Sequence, residues 1–273
     1  MGVAWLVSAV LVLSGHHPGR LVEGTFYAPD IRGTERYQAW LPAGYDLSGL
    51  RYPVIYALHG LPTDEEGYLD MDVRALGAAA ERVGHPAIVV APQGARKGDT
   101  DPEWHNWGPG RDWENLIAEE VVHHVDRTYR TVRGRRGRAI IGVSAGGYGA
   151  TIIAVHHPQT YSAVESWSGY FHPTDPVGNH PLDLGTPEAD QAASVHAYVY
   201  DAQNLARYRP SYFGFYIGDE DPHFVAENVA LHVELQNVGV RHDFAIYPGT
   251  HSAAFWAEHE DDWIARAARR LEA

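Results

Sequence analysis

Short apolar runs alternate along this chain with segments whose apolar residues recur at helical spacing. The clearest runs are residues 53–58 (PVIYAL), 87–91 (AIVVA) and 139–143 (AIIGV), and none of them contains a charged residue. A strand that is apolar on both faces is typical of a parallel sheet covered by helices. Helical patterns at 71–83 and 113–129 separate these runs. The alternation therefore predicts an α/β fold with a mostly parallel central sheet and helices on both faces.

The same pattern extends towards both ends of the chain. Residues 25–27 and 37–41 predict an antiparallel strand pair around a turn at 30–33. Further strands are predicted at 161–166, 211–217 and 243–247, and further helices at 145–156, 226–238 and 255–271. Residues 171–194 are rich in Pro, Gly, Asp and His without clear periodicity, which favours a loop or lid inserted over the scaffold. Residues 18–273 are accordingly predicted to form a single domain.

The N-terminal segment, residues 1–17, is treated separately because residues 3–13 are almost wholly apolar. This run is shorter than the roughly 20 residues of a membrane-spanning helix. Its length fits the apolar part of a signal peptide, but a charged N-terminal region and a clear cleavage site are missing. A signal segment, the remnant of a membrane anchor and a buried strand all stay open. Export or membrane proximity is as well supported as a cytoplasmic location.

Composition excludes several classes of function. The chain of 273 residues contains no cysteine, which excludes disulfides, thiolate metal sites and a cysteine nucleophile. Its formal net charge is −14, whereas a nucleic-acid-binding protein would need a basic surface. We therefore expect no nucleic-acid partner. No signal in the sequence indicates the oligomeric state.

The pentapeptide from Gly142 to Gly146 has the pattern G-x-S-x-G and lies between a predicted buried strand and a predicted helix. That context is typical of a nucleophile elbow, in which a tight turn lifts a serine hydroxyl clear of the sheet. Small residues are needed because side chains beside the serine would clash, and the serine itself takes a strained backbone conformation. Ser144 is therefore the candidate nucleophile. The alternative interpretation is a glycine-rich turn that serves packing only.

A serine nucleophile needs a base, which in turn needs an orienting carboxylate. In folds with this elbow, the chain order is serine, acid, histidine. The predicted strand at 211–217 is followed by Asp219, Glu220 and Asp221, and Asp221 is favoured over Asp219, with Glu220 third. His251 follows the last predicted strand and is the candidate base.

The oxyanion that forms during acyl transfer needs two N–H donors. The residue after the nucleophile, Ala145, supplies one, and the loop after the strand at 53–58 supplies the other through Leu61. In the same loop, His59 and Gly60 are candidate substrate-binding residues. So are Trp104, Trp107 and Trp167, because they follow predicted strand ends, where α/β folds bind ligands. Packing of these large rings in the core is the alternative.

Four motifs together resemble the Putative esterase family of α/β-hydrolases. They are RYPVIYALHG, GVSAGG, GDEDP and YPGTH, and the likeness extends from Gly24 to the C-terminus. The family includes esterase D (S-formylglutathione hydrolase), feruloyl esterases and the antigen 85 mycolyltransferases. The resemblance implies an α/β-hydrolase fold and the same catalytic and oxyanion residues, with no metal and no organic cofactor. It does not fix the substrate.

We accordingly expect a serine carboxylesterase that acts on a small-molecule, glycan or lipid ester through an acyl-enzyme. The alternatives are an acyltransferase of the mycolyltransferase type and a thioesterase of the S-formylglutathione hydrolase type. The chain lacks the cysteine found near the active site of several such thioesterases, and it favours Asp where the mycolyltransferases usually have Glu. A hydrolase-fold protein that only binds its ligand is least expected, because serine, acid and histidine all follow in the required order.

Overall fold

The computed structural model describes residues 18–99, 103–175, 180–200 and 212–272. The predicted N-terminal segment, residues 1–17, lies outside the described residues. One sheet of eight strands runs through the molecule in the order β1-β2-β4-β3-β5-β6-β7-β8. The strands are β1 Arg20–Ala28, β2 Gly33–Leu41, β3 Val54–Leu58, β4 Ile88–Pro92, β5 Arg138–Val143, β6 Ala163–Trp167, β7 Tyr212–Gly218 and β8 Asp243–Tyr247.

Strand direction follows from the connections. β1 pairs antiparallel with β2, because a short turn joins these two strands, and β2 also pairs antiparallel with β4. The pairs from β4 through β3, β5, β6 and β7 to β8 are all parallel. Each of the strands β3, β4, β5 and β6 has five buried residues or more, as their apolar runs predict. The predicted mostly parallel sheet is confirmed.

Helices cover both faces of the sheet. They are α1 Val73–Arg82, α2 Trp113–Asn115, α3 Val122–Thr128, α4 Ala145–His156, α5 Pro187–Ala193, α6 Val225–Asn237 and α7 Ala253–Ala268. α1 and α7 contribute to the apolar core on one face. α3, α4 and α6 contribute to the core on the other face. The α/β-hydrolase class expected from the sequence therefore describes this architecture.

Two segments differ from the sequence-based expectation. The helix predicted at 113–129 is divided, with a π-helical stretch at Leu116–Val121 between α2 and α3. Apolar spacing alone does not distinguish a π turn from an α turn inside one helix. The predicted loop at 171–194 contains α5, where the Thr186 side chain accepts a hydrogen bond from the Ala189 N–H and Pro187 begins the helix. These capping signals were present in the sequence; a lid role for the segment stays a prediction.

Glu165 is a buried carboxyl group in β6. Its Oε2 accepts a hydrogen bond of 2.8 Å from the Trp167 indole N–H. Its Oε1 has no hydrogen-bond partner among the described residues. Burial raises the pKa of Glu165 to about 8, although the hydrogen bond from Trp167 acts in the opposite direction. Glu165 is therefore protonated in the folded protein at neutral pH.

Glu165→Gln should remove the part of the loss of folding stability at rising pH that comes from deprotonation of Glu165. Between the ordinary carboxyl pKa and pH 8, folding requires the wild type to keep a proton that the unfolded chain releases, so stability falls as the pH rises. Glutamine mimics the protonated group. The variant should gain about 1.4 kcal/mol relative to the wild type for each pH unit across this window, measured by urea denaturation at pH 5 and pH 8. Glu258→Gln, on the exposed side of α7, is the matched control; an equal difference at both pH values would contradict the prediction.

Candidate active site

Ser144 lies between β5 and α4, at the carboxyl end of a central strand. Its backbone has φ 53° and ψ −121°, a conformation that L-residues rarely adopt. The strain is held by the sheet and the helix, since the Ser144 N–H donates to the Trp167 carbonyl at 2.9 Å and the Ser144 carbonyl accepts from Gly147 N–H at 2.8 Å. The geometry is that of a nucleophile elbow.

The glycines beside Ser144 are required by close backbone approach. A Cβ added at Gly142 would lie 2.2 Å from the carbonyl oxygen of Gly146. One added at Gly146 would lie 2.2 Å from the carbonyl oxygen of Leu58 in β3. Because any side chain at either position would overlap backbone atoms, the turn can be this tight only with glycine.

His251 and Asp221 form a hydrogen-bonded chain with Ser144. The Nε2 atom of His251 is 3.0 Å from the Ser144 Oγ, and its Nδ1 atom is 2.7 Å from Oδ2 of Asp221. His251 lies in the loop after β8, immediately before Ser252, whose hydroxyl caps α7 by accepting from the Phe255 N–H. The order nucleophile, base and orienting acid matches the arrangement that activates a serine.

Asp221 is held as a carboxylate. Burial acts to raise its pKa, but the hydrogen bond from His251 and those from the N–H groups of His223 and Phe224 outweigh burial and lower the pKa. Oδ1 accepts the two backbone bonds at 2.9 and 3.1 Å, so Oδ2 is directed at His251.

The alternative acid, Asp219, has a different position. Its Oδ1 accepts from the Gly249 N–H at 3.0 Å, which ties the loop after β7 to the loop after β8. Glu220 donates its backbone N–H to the Gly249 carbonyl. Among the three acids, the structure therefore brings only Asp221 to the imidazole, as the sequence analysis favoured.

Two aromatic rings beside His251 were not anticipated from the sequence. The ring centroids of Trp256 and Phe224 lie 5.1 and 5.5 Å from that of His251. The Trp256 indole N–H donates to the Ser168 hydroxyl at 3.0 Å, which fixes the indole in place. Trp256 lies on the first turn of the helix that follows His251, and this proximity in sequence was the available signal.

The loop after β3 approaches Ser144 closely at Gly60. A Cβ added at Gly60 would lie 3.1 Å from the Ser144 Cβ and 3.7 Å from its Oγ. In the part of the chain that the structure describes, neither the Leu61 N–H nor the Ala145 N–H donates to a protein acceptor. Both expected oxyanion donors are therefore unpaired beside the nucleophile, where a negative oxygen could accept from them.

The expected substrate-binding role of His59 and Trp104 is not supported by their burial. His59 is 0% exposed and Trp104 is 2% exposed. The Trp104 indole N–H donates to the His59 carbonyl at 3.2 Å, and its ring fills the space left by Gly94 and Gly149. Both side chains contact the backbone of the loop that carries Gly60 and lie in the interior of the protein. Gly60 itself remains next to Ser144.

The other two tryptophans differ in position. Trp167 is 1% exposed and packs against Trp263 of α7, with ring centroids 5.2 Å apart, so its side chain belongs to the core between sheet and helix. This position favours the packing alternative, and a substrate-binding role for Trp167 stays a prediction. Trp107 is 38% exposed and contacts the His105 ring edge-on, which leaves a substrate-binding role as a prediction.

The described residues, 18–99, 103–175, 180–200 and 212–272, contain neither a metal site nor a membrane-spanning helix. Within these ranges, no three His, Asp or Glu side chains are grouped so as to hold a metal ion. No helix among them combines the length and the apolar character needed to cross a bilayer.

Comparison with known proteins gives matches over most of the chain. A family model described as "Putative esterase" matches residues 31–259. An esterase of Mycobacterium tuberculosis (strain ATCC 25618 / H37Rv) is 34% identical over 130 residues, which are 47% of this chain and 28% of that protein. The chain thus spans much less than the full length of this curated relative.

Solved structures with this fold include two enzymes of related kinds. A ferulic acid esterase superposes with a TM-score of 0.77 at 22% identity, covering 93% of this chain and 100% of that one. An S-formylglutathione hydrolase from Agrobacterium tumefaciens superposes with a TM-score of 0.72 at 19% identity, covering 94% and 97%. At these identities the likeness establishes the α/β-hydrolase fold.

Proposed function

The chain belongs to the Esterase family of hydrolases, and from that premise we propose that it is a serine carboxylesterase working through an acyl-enzyme. The observation that carries the proposal is the hydrogen-bonded chain from Ser144 Oγ through His251 to Asp221. A serine hydroxyl becomes an effective nucleophile only when such a base removes its proton.

In the proposed mechanism, His251 Nε2 takes the hydroxyl proton as Ser144 Oγ bonds to the ester carbonyl carbon. The carbonyl oxygen becomes an oxyanion and accepts from the N–H groups of Leu61 and Ala145. The bond to the alcohol oxygen then breaks, and His251 returns the proton to the departing alcohol. Water attacks the acyl-enzyme by the same route, which releases the acid and restores Ser144.

Asp221 has two tasks in this mechanism. By accepting the hydrogen bond from Nδ1, its carboxylate keeps the Nε2 lone pair of His251 directed at Ser144. Its negative charge also stabilises the imidazolium that forms in each half-reaction. The lowered pKa of Asp221 keeps this group a carboxylate at neutral pH, where it can support the imidazolium.

A small-molecule ester is the proposed substrate class, with a glycan or lipid ester as its variant. Ser144 is 8% exposed, and the rings of Phe224 and Trp256 adjoin the base. A nucleophile enclosed in this way favours a short or flat acyl group over a long, flexible one. Acyl transfer to an alcohol and thioester hydrolysis would use the same three residues and differ only in the acceptor or the leaving group.

A series of p-nitrophenyl esters from acetate to laurate tests the proposal. We expect kcat/KM to be highest for acetate and to fall by about tenfold or more towards laurate, because each misplaced methylene costs binding in a confined site. Release that requires an added glycerol or glycan acceptor would indicate a transferase, and faster cleavage of an S-acyl glutathione would indicate a thioesterase. A catalytic function would be contradicted if no p-nitrophenol were released from any ester, with or without an added acceptor, and if the thioester were not cleaved either.

A further inference from the structure

His59 is a buried histidine whose two ring nitrogens both face backbone carbonyl groups. Its Nε2 is 2.6 Å from the carbonyl oxygen of Gln93, and its Nδ1 is 2.9 Å from the carbonyl oxygen of Gly60. The ring therefore lies between the end of β4 and the loop that passes Ser144. It does not reach the surface, so contact with substrate is not its role.

The Gly60 carbonyl belongs to the same peptide group as the Leu61 N–H. In a planar trans peptide these two bonds point in opposite directions. A side chain that fixes the direction of the Gly60 carbonyl thereby fixes the direction of the Leu61 N–H. We infer that His59 is a positioning residue, which donates from Nδ1 to the Gly60 carbonyl and so holds the Leu61 N–H towards the oxyanion. This inference rests on the proposed function, in which Leu61 supplies an oxyanion donor.

The surroundings of His59 make it a rigid support. A Cβ added at Gly67 or at Gly94 would lie 2.7 Å from Nε2, so the imidazole is enclosed on both sides. The Trp104 ring lies 4.6 Å from the imidazole, measured between centroids. Because the ring has no room to rotate, the position of the Gly60 carbonyl is determined before substrate binds.

Gln93, whose carbonyl contacts His59 Nε2, is itself hydrogen-bonded to strand β2. The Gln93 N–H donates to the Arg36 carbonyl of β2 at 2.9 Å and to Oε1 of buried Glu35 at 2.8 Å. Residue Gln93 is thus tied to the neighbouring strand through its N–H, and its carbonyl, which belongs to the next peptide group, contacts His59. Preorganised donors are effective in catalysis because they need no reorientation when charge develops.

The charge state of His59 determines whether it can donate hydrogen bonds to both carbonyl groups or to one of them only. Burial lowers the pKa of His59 and outweighs the hydrogen bonds with Gly60 and Gln93, which act to raise it. A neutral imidazole carries a single N–H and can donate to one carbonyl only. For His59 to hold the Gly60 carbonyl, a proton must lie on Nδ1, whether the ring is neutral or carries a second proton on Nε2.

Two substitutions separate the two contacts. His59→Asn places an amide nitrogen near the position of Nδ1 and keeps a donor for Gly60 only. His59→Gln places one near the position of Nε2 and keeps a donor for Gln93 only. We expect kcat for p-nitrophenyl acetate to fall by about 10- to 100-fold in His59→Gln, part of the 10²–10³ that loss of an oxyanion donor costs, at a nearly unchanged KM.

His59→Asn should retain kcat within about threefold of the wild type, because its donor to Gly60 survives. Binding of phenylboronic acid, which forms a tetrahedral adduct with an active serine, should weaken in His59→Gln in parallel with kcat. Equal losses in both variants, or wild-type kcat in His59→Gln, would overturn the inference.

A measurement on the wild type covers the case in which a variant does not fold. The ¹⁵N shifts of labelled histidine report which ring nitrogen of His59 is protonated, and we expect a proton on Nδ1. A proton on Nε2 alone would overturn the inference, because His59 would then have no donor for the Gly60 carbonyl. If the wild type showed no Ser144-dependent hydrolysis, the proposed function would fail instead. The ¹⁵N shifts would still show whether His59 carries a proton on Nδ1 and so can donate to the Gly60 carbonyl.

Discussion

Ser144→Ala is expected to lower kcat for p-nitrophenyl acetate on the order of a million-fold, leaving only the contribution of binding and the oxyanion donors. The reason is that the Ser144 Oγ lies 3.0 Å from His251 Nε2, within reach of the base that would activate it to form the acyl-enzyme. Steady-state release of p-nitrophenol measures the loss, and a stopped-flow experiment should show no initial burst of p-nitrophenol, because no acyl-enzyme forms.

The matched control is Ser166→Ala. Ser166 is a fully buried serine near the elbow, and its hydroxyl has no hydrogen-bond partner among the described residues. Its removal should leave kcat within about threefold, because a buried hydroxyl without a partner contributes little. Burst kinetics that survive in Ser144→Ala would exclude Ser144 as the nucleophile, whereas equal losses in both variants would point to damage of the β5–α4 turn.

Asp221→Asn is expected to lower kcat by about 10⁴-fold, the loss seen when an amide replaces the orienting carboxylate of a serine triad. The amide can donate to Nδ1 of His251, which favours the tautomer with its proton on Nε2. That tautomer cannot accept the Ser144 proton. The measurement is kcat between pH 6 and pH 10, and the rate should recover in part at high pH, where hydroxide substitutes for the missing base.

Asp219→Asn is the control for this acid because it lies two residues away in the same loop. Asp219 accepts a hydrogen bond from the Gly249 N–H and does not contact His251. An asparagine side-chain oxygen can accept the same bond, so kcat should change by less than about threefold. A large loss in Asp219→Asn with little loss in Asp221→Asn would reverse the assignment of the acid.

Local sequence patterns were sufficient for the parts of this protein in which one short segment determines the outcome. The apolar runs that predicted β3, β4 and β5 are buried strands because a strand apolar on both faces has nowhere else to lie. The elbow was predictable for a similar reason. The glycines at 142 and 146 admit backbone contacts of a kind that no other residue allows, and Ser144 stands between them.

Sequence patterns did not predict two local features, the short helix α5 and the π-helical turn. The helix α5 is initiated by Thr186 and Pro187, yet the many Pro, Gly and Asp residues around it favour a loop. The π-helical turn at Leu116–Val121 preserves an apolar face, so periodicity describes it as ordinary helix. In both segments the composition was correctly described, and the hydrogen-bond pattern could not be deduced from it.

By itself, the sequence determined the alternating α/β order, the tight turn at Ser144 and the chain order of Ser144, the acidic residues after β7 and His251, because each depends on neighbouring residues. Only the tertiary structure decided which acid reaches His251, since the side chains of Asp219 and Asp221 are directed by contacts with Gly249 and with the N–H groups of His223 and Phe224. It also decided that Trp167 packs in the core and that His59 contacts the Gly60 peptide. These outcomes depend on residues far apart in the chain, which only packing of the complete sheet and its helices brings together.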